Sequence, residues 1–483
     1  MFELTISIRG LWALLISGGY LLTMVLIPWV IVMKKRQPVS TIAWIMAIII
    51  LPYVGALLFL VFGVNRVERR TARKLDANMK MQRLLPGVAA YQFVASENMD
   101  PQQSRLMKLA NRLSDTVPTQ GNQIQILSDT NQTLSLIEKA IEEAENSLHL
   151  EYYIWRPDRT GTRLRDLLID KAKQGVKIRF LYDGIGSIEL GRKFLRSMRD
   201  AGIQVASFLP GASFRERWSV NLRNHRKIVI ADGTVGFTGG MNIGDEYLGR
   251  NRSIGFWRDT HLRMEGPGVL QLQQVFAEDW YYATGEELTH PELFPTPKSL
   301  GQTTAHVLAG GPDNSEPLFL SLMFAAINEA QHRVTLETSY FVPPDSLIMA
   351  LESAALRGVE VRLLLAGKPS YFWTVFAGRS YYDSLLKAGV QINEYSRGLL
   401  HSKTLTIDGS WSMVGTPNFD TRSLWLNFEV AVVSYDARIA SLLEEHYLHD
   451  MRDSKSIVDA DWHKRPFLHT LAENTCRLFS PVL

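Results

Sequence analysis

Two long apolar runs open the chain, residues 11–33 and 39–64, and neither contains a charged side chain. Each is long enough to cross roughly 30 Å of hydrocarbon as a helix. Neither shows the polar face that an amphipathic helix of a globular core would carry. Only Lys34, Lys35, Arg36, Gln37 and Pro38 separate them. So short a connection predicts an antiparallel transmembrane hairpin, which returns the chain to the side of the bilayer on which it began. Trp12, Trp29 and Trp44 are candidate interfacial anchors. A cleaved leader is the competing reading, but the first run is too long for one, shows no small-residue cleavage site and is followed at once by a second run. The positive turn is outweighed by Arg66, Arg69, Arg70, Arg73 and Lys74 after the second run. That excess favours a cytoplasmic position for the remainder of a multi-pass membrane protein.

After residue 75 the pattern changes. Residues 75–120 are polar and irregular, with a short helix around 104–113, and predict a linker. Beyond them helical and strand periodicities alternate, and the alternation occurs twice. Residues 144–151 align with 330–337; each segment follows an apolar-periodic helix and leads into an aromatic strand, Tyr152, Tyr153 and Ile154 or Tyr340, Phe341 and Val342. Gly175 and Gly358 then each end a helix and open a strand rich in apolar residues. The repeat predicts an α/β fold of two pseudo-symmetric sandwich lobes behind the hairpin. The expected plan is an anchor at 1–74, a linker at 75–120, a first lobe at 121–295 and a second at 296–483, divided at the proline-bearing bridge of 292–298.

Composition narrows the functional classes. Fifty-two basic residues stand against 49 acidic ones, and a net charge of +3 gives no electrostatic case for a nucleic-acid partner. The single cysteine, Cys476, excludes an intrachain disulfide and a cysteine zinc site.

The repeat also carries candidate chemistry. The first half contains His225, Lys227 and Asp232 in the spacing His-x-Lys-x4-Asp, followed by Gly239, Gly240 and Asn242. The second contains His401, Lys403 and Asp408 in the same spacing, followed by Gly415, Thr416 and Asn418. On a strand the i and i+2 positions share a face, so each His and Lys can approach one phosphate. One such match is weak evidence, since an edge strand with surface charges gives the same string. Two at equivalent places of a repeat, each followed by Asn, are not explained that way.

These motifs, with the hairpin and residues 414–429, resemble the phospholipase D superfamily and, within it, the bacterial cardiolipin synthases. The resemblance spans nearly the whole chain. It implies phosphatidyl transfer: phosphatidylglycerol and the bilayer as partners, cardiolipin and glycerol as products, a phosphohistidine intermediate, and no metal or other cofactor. By that analogy His225 is the nucleophile and His401 the general acid and base. A departure is the Gly239, Gly240 pair in place of the commoner Gly-Ser, which removes a hydroxyl from possible contact with phosphate.

The residue types suit the reaction. A neutral imidazole attacks a diester anion better than another anion would, and its phosphoramidate is labile. The second imidazole must protonate the leaving alkoxide and later deprotonate the incoming alcohol. Identical motifs would thus hold opposite protonation states, set by unequal surroundings. Lys227, Lys403, Asn242 and Asn418 are candidates to hold the non-bridging oxygens. Asp259 and Glu429, by their positions after the motifs, are candidates to orient the imidazoles.

Other features have blander readings. His446 and His449 beside acidic residues predict a solvated helix face rather than a metal site. Residues 208–223, mixing Phe214 and Trp218 with Arg215 and Arg217, fit a surface loop or an interfacial lipid-feeding segment. Tyr371, Phe372, Trp373, Tyr381 and Tyr382 are expected in the core, and residues 467–483 either on the membrane or docked on the protein. Two alternatives to transfer remain: hydrolysis of the same type of intermediate by a phospholipase D or other phosphodiesterase, and a noncatalytic membrane scaffold, which two intact motifs disfavour.

Overall fold

The computed structural model describes residues 8–32, 38–60, 76, 79, 91–94, 99–208, 222–251, 254–368 and 372–480. The chain forms two units, residues 1–70 with 217–221, and the remainder. The expected interhelical turn, the basic residues from Arg66 to Lys74 and most of segment 208–223 lie outside the described residues.

In the first unit, Gly10–Val32 lies within a helix, Ile8–Val32, that is long and apolar enough to cross a membrane. The second run does not form the single crossing helix expected of it. It breaks into Pro38–Ile50 and Pro52–Leu58, with Leu51 at φ −131° and ψ 73° between them. Pro52 is the cause: it lacks an N–H, and its ring drives the preceding residue out of the helical region. Gly18 and Gly19 let this broken helix approach the first, because a Cβ on Gly18 would lie 2.8 Å from the Tyr53 hydroxyl. That hydroxyl donates to the Leu15 carbonyl at 2.6 Å. Trp29 and Trp44 both pack edge-on against Phe59, with ring centroids 5.8 and 5.7 Å away.

The second unit is built on one sheet containing the same strand order twice. The first half runs Thr119–Leu127, His261–Glu265, Val235–Gly239, Ile228–Ala231, Ser147–Tyr152, Lys177–Asp183 and Gln204–Phe208. The second runs Thr303–Gly310, Asn427–Ser434, Trp411–Gly415, Lys403–Ile407, Arg333–Thr338, Glu360–Ala366 and Gln391–Tyr395, with Ser454–Ile457 added at the edge. Thr119 opposite Ala305 and Asn122 opposite Thr303 join the halves antiparallel. The duplication read in the sequence is therefore a duplication of topology, and the lobes share their sheet. Helices cover both faces, so strands such as Ser147–Tyr152 and Lys403–Ile407 are buried on both although apolar and polar residues alternate along them. Leu148, Leu150, Phe180 and Val229 build one core, and Leu336, Leu363, Leu405 and Trp411 its counterpart.

The stretch expected as a linker has a structural role. Its helix Pro101–Leu113, capped by Asp100, buries Leu106, Met107 and Ala110 among Leu322, Met323 and Ala326 of the second half. Arg105 pairs with Glu329 at 2.6 Å, and Gln102 Nε2 donates to Asp408 Oδ2 at 2.8 Å. The chain thus packs a helix on the second half before it builds the first, because three apolar side chains on one helical face need a core to enter. Tyr381 and Tyr382 are buried as expected, whereas Phe372 and Trp373 are not; Tyr371 lies outside the described residues.

Candidate active site

Each motif histidine stands just before its strand, where a short parallel pairing stitches it to the opposite half. Arg223–Asn224 pairs with Asn427–Phe428, and Gly398–Leu400 pairs with Phe256–Arg258. The His225 amide accordingly donates to the Phe428 carbonyl at 2.9 Å, and the His401 amide to the Arg258 carbonyl at 2.6 Å. Both carboxylates picked out by position are thereby carried across. His225 Nδ1 lies 2.8 Å from Glu429 Oε2, and His401 Nδ1 lies 2.7 Å from Asp259 Oδ2. With Nδ1–H donated to a carboxylate, each imidazole keeps Nε2 for chemistry.

The carboxylates are themselves held. Trp257 Nε1 donates to Asp259 Oδ2 at 3.3 Å, and Asn427 Nδ2 donates to Glu429 Oε1 at 3.2 Å. Both donors stand two residues before the acid, so strand alternation places donor and acid on one face. Trp257 and Asn427 were not picked out from the sequence, although that spacing was there to see. The aromatic neighbours differ: Tyr153 packs edge-on to His225 at 4.9 Å, whereas Trp257 lies 5.1 Å from His401.

The lysines repeat one geometry. Lys227 Nζ donates to the His225 carbonyl at 2.6 Å, and Lys403 Nζ to the His401 carbonyl at 2.5 Å. Lys403 also donates to Ser339 Oγ at 2.7 Å, whose hydroxyl donates to Asn418 Oδ1 at 2.8 Å. Asn242 Oδ1 accepts from the Ile154 amide at 3.1 Å. With these carbonyl oxygens engaged, each Asn has its amide N–H groups to offer a phosphate.

Burial and charge set the proton inventory. Burial lowers the Lys227 ammonium to about 7 and that of Lys403 to about 8, against the pull of Glu429 and Asp259. Burial also pushes His225 down to about 4, against Glu429, and His401 to about 4, with Lys403 adding to the effect and Asp259 opposing it. The charge of Lys403 reaches His225 and that of Lys227 reaches His401, so both motifs occupy one electrostatic neighbourhood. Unequal surroundings were expected to give the imidazoles opposite protonation states. The protein's own groups lower both alike, because each is fully buried within reach of two lysines and one paired carboxylate. Burial, the largest single influence, would raise both carboxyls, but the paired imidazole and the neighbouring lysine together overcome it, and Asp259 and Glu429 lie below their ordinary range.

Two motif positions lie elsewhere. Asp232 and Asp408 stand at the far ends of their strands, roughly 15 Å from the lysines at the usual strand rise. Asp232 accepts from the amides of Glu145, Asn146 and Ser147 at 2.7–2.8 Å. Asp408 accepts from those of Gln331, His332 and Arg333 at 2.7–2.9 Å. Both have φ 51° and precede a positive-φ glycine in a type I′ hairpin turn. The aspartates of the motifs, expected to be catalytic, thus brace the repeat's turns. The small-residue positions pack around the orienting carboxylates. Thr416 Oγ1 accepts from the Val430 amide at 2.9 Å, and its hydroxyl adds to the pull of His225 and Lys227 that holds Glu429 below its ordinary range. At Gly240 a Cβ would come within 2.1 Å of Asp259 Oδ1, and at Gly239, with φ +147°, within 2.6 Å of His261 Cα. Both glycines serve the close approach of Asp259 and the neighbouring strand.

Beneath the motifs lie two buried ionic groups that the sequence did not reveal. Arg226 pairs with Asp279 and lies close enough to Glu151 for each charge to shift the other. Arg258 pairs with Asp450 at 2.6 Å and lies 4.0 Å from Glu337. Both arginines come from the first half, although their carboxylates occupy equivalent places in the two. Burial raises Glu151 well above the ordinary carboxyl range and Glu337 to about 7. Among the described residues no group of three or more His, Cys, Asp or Glu side chains could hold a metal ion.

Residues 137–280 and 323–451 match the family model described as cardiolipin synthase, PLD-like domain, and residues 21–63 the one described as phospholipase D-nuclease N-terminal. Curated relatives include a cardiolipin synthase of Geobacillus kaustophilus, 40% identical over 99% of this chain and 95% of that protein. Another is the cardiolipin synthase of Alkalihalophilus pseudofirmus, 37% identical over 97% and 94%. Among solved structures, phosphatidylserine synthase of Haemophilus influenzae superposes with a TM-score of 0.61 at 13% identity, covering 78% of this chain and all of that one.

Proposed function

The chain belongs to the cardiolipin synthase family of phospholipase-D-like proteins, and from that premise we propose that it passes a phosphatidyl group from one phosphatidylglycerol to the glycerol headgroup of another. Cardiolipin and glycerol are the products. The observation that supports this best is the crossed pair of carboxylate–imidazole contacts, which presents two Nε2 atoms and two lysines in one neighbourhood.

In the first half-reaction His225 Nε2 attacks phosphorus, and the bond to the departing glycerol oxygen breaks. That oxygen takes a proton from His401 Nε2. Because the protein leaves His401 neutral at pH 7, the negative charge of the bound diester is what favours its imidazolium. In the second half-reaction the incoming hydroxyl gives its proton to His401 and attacks phosphorus; the P–N bond breaks and His225 is restored. Lys227, Lys403, Asn242 and Asn418 hold the non-bridging oxygens as charge accumulates. Asp259 and Glu429 orient the imidazoles.

The protein is a membrane protein by its N-terminal apolar helix and its family. A cytoplasmic catalytic portion and a multi-pass hairpin are our reading of the flanking charges. Purified protein with headgroup-labelled phosphatidylglycerol tests the reaction. Glycerol released in step with cardiolipin is the expected result, and free phosphatidic acid in its place would make the protein a hydrolase.

A further inference from the structure

The C-terminal helix Phe467–Arg477 is turned inside out. Its protein-facing side carries Glu473, 2% exposed, and Cys476, 4% exposed, and the Glu473 carboxylate pairs with Arg465 at 3.2 Å. Its outer side carries Phe467, Leu468 and Leu471, exposed by 77%, 71% and 50%. At 100° per residue these three fall within an arc of about 100°. Leu478 and Phe479 extend the surface beyond the helix, exposed by 79% and 52%. The neighbouring helix Phe372–Arg379, against which the C-terminal helix packs, adds the exposed rings of Phe372 and Trp373. An amphipathic helix on a protein in water points the other way, apolar side inward. Exposed apolar side chains gathered on two packed helices mark a contact face.

We infer that this two-helix surface is a second membrane contact, lying in the headgroup and upper acyl region of a bilayer. The chain itself supplies the argument for that occupant. A helix long and apolar enough to span the membrane is covalently joined to this body, so a bilayer is always within reach. Phe, Leu and Trp on one side suit the interfacial region. The exposed Lys464 and Arg477, paired with the exposed Asp461 and Asp345 at 2.8 and 3.8 Å, give the patch a charged rim of the kind an interfacial helix carries. The choice of occupant rests on the phospholipid reading of the active site; the patch itself does not.

The test uses the full-length protein in vesicles of phosphatidylethanolamine and phosphatidylglycerol doped with lipid bearing a nitroxide on its acyl chain. Leu471→Cys is labelled with an environment-sensitive dye and compared with a dye at Lys193→Cys, an exposed position in the first half. Cys476 is buried, and unlabelled wild type serves as its check. Several-fold stronger quenching at position 471 is expected. Equal, weak quenching at both positions overturns the inference. So does quenching absent at 471 together with dye–dye energy transfer that grows with the protein-to-lipid ratio, the signature of copies packed face to face. As a second reading, Leu468→Ser with Leu471→Ser should keep turnover in detergent micelles and lose it several-fold on vesicles. Quenching requires no turnover, so its failure leaves the transferase reading intact, and an inactive but quenched protein separates the two the other way.

Discussion

Nδ1 of His401 lies 2.7 Å from Oδ2 of Asp259, so a histidine of the second half takes its orientation from a carboxylate of the first. Glu429 returns the same service to His225 at 2.8 Å. Each motif histidine thus has its carboxylate in the opposite half. Asp259→Asn and Glu429→Gln keep the shape and remove the charge, and each should lower kcat by about 10²–10⁴-fold. With an activated leaving group the variants should part: Glu429→Gln slows formation of the covalent adduct, whereas Asp259→Asn spares it and slows transfer to the alcohol. Burst and steady-state rates measured separately decide this, and equal effects on both phases in both variants would sink the division of labour.

Asp408 gives the opposite expectation. It caps three backbone amides at the distal turn, so Asp408→Ala should cost stability of roughly 2–4 kcal/mol for the donors left unpaired. Turnover per folded molecule should stay within about two-fold of wild type. The apparent melting temperature and active-site titration of the purified variant give the two numbers. A large loss of kcat in a fully folded variant would return Asp408 to the chemistry.

The motif histidines and lysines were legible because they repeat, and so was the strand order, because helices and strands alternate the same way twice. The crossing of the carboxylates was not legible. Asp259 lies 34 residues beyond His225 and Glu429 lies 28 beyond His401, so each looks like the partner of its own half. Only the short pairings of Phe256–Arg258 and Asn427–Phe428 with the opposite half reverse that. The role of Asp232 and Asp408 was hidden for a related reason: a conspicuous string fixes spacing, not which end of a strand faces the phosphate. Pro52 was visible, and its break of the second apolar run was predictable from its ring.

Gly240 offers a test of packing against the orienting carboxylate of Asp259. A methyl there would lie 2.1 Å from Asp259 Oδ1 and 2.9 Å from the His401 carbonyl, so Gly240→Ala must displace the carboxylate that orients His401. A fall of at least ten-fold in kcat is expected, with KM changed less, since the lysines proposed to bind phosphate are untouched. Thr416→Ser, which keeps the hydroxyl at Glu429, should be nearly neutral. Steady-state kinetics of both variants check the pair of outcomes.

Acid should weaken the fold through its buried histidines. Burial holds His149, His225, His261, His306 and His401 each at about 4. Unfolded, they would take up protons near the ordinary value of about 6.5. As pH falls from there, the unfolded state binds protons the folded state refuses, so stability is intact above about 6.5 and lost toward 4. Each histidine contributes up to about 1.4 kcal/mol per pH unit over that window. Melting temperatures from pH 8 to 5 should decline below 6.5. His306→Gln, which removes one titrating group away from the motifs, should make the decline shallower; an unchanged slope would contradict the burial argument.

The order of the two histidines is the sharpest question left by their near-identical surroundings, since burial brings both to about 4 and each has its own carboxylate and lysine. If His225 is the nucleophile, His225→Ala cannot form a phosphatidyl adduct with any substrate, because no other group replaces the lost Nε2. His401→Ala lacks only the proton for the leaving group. A substrate that releases a nitrophenolate needs no such proton, so this variant should accumulate adduct on His225 even faster than it can be discharged. Turnover to cardiolipin should fail in both, for want of a nucleophile in one and of a base for the incoming hydroxyl in the other. Mass spectrometry of the quenched protein locates the adduct. A phosphatidyl group on His401 that persists in His225→Ala would exchange the two roles, and with them the expected behaviour of Asp259→Asn and Glu429→Gln.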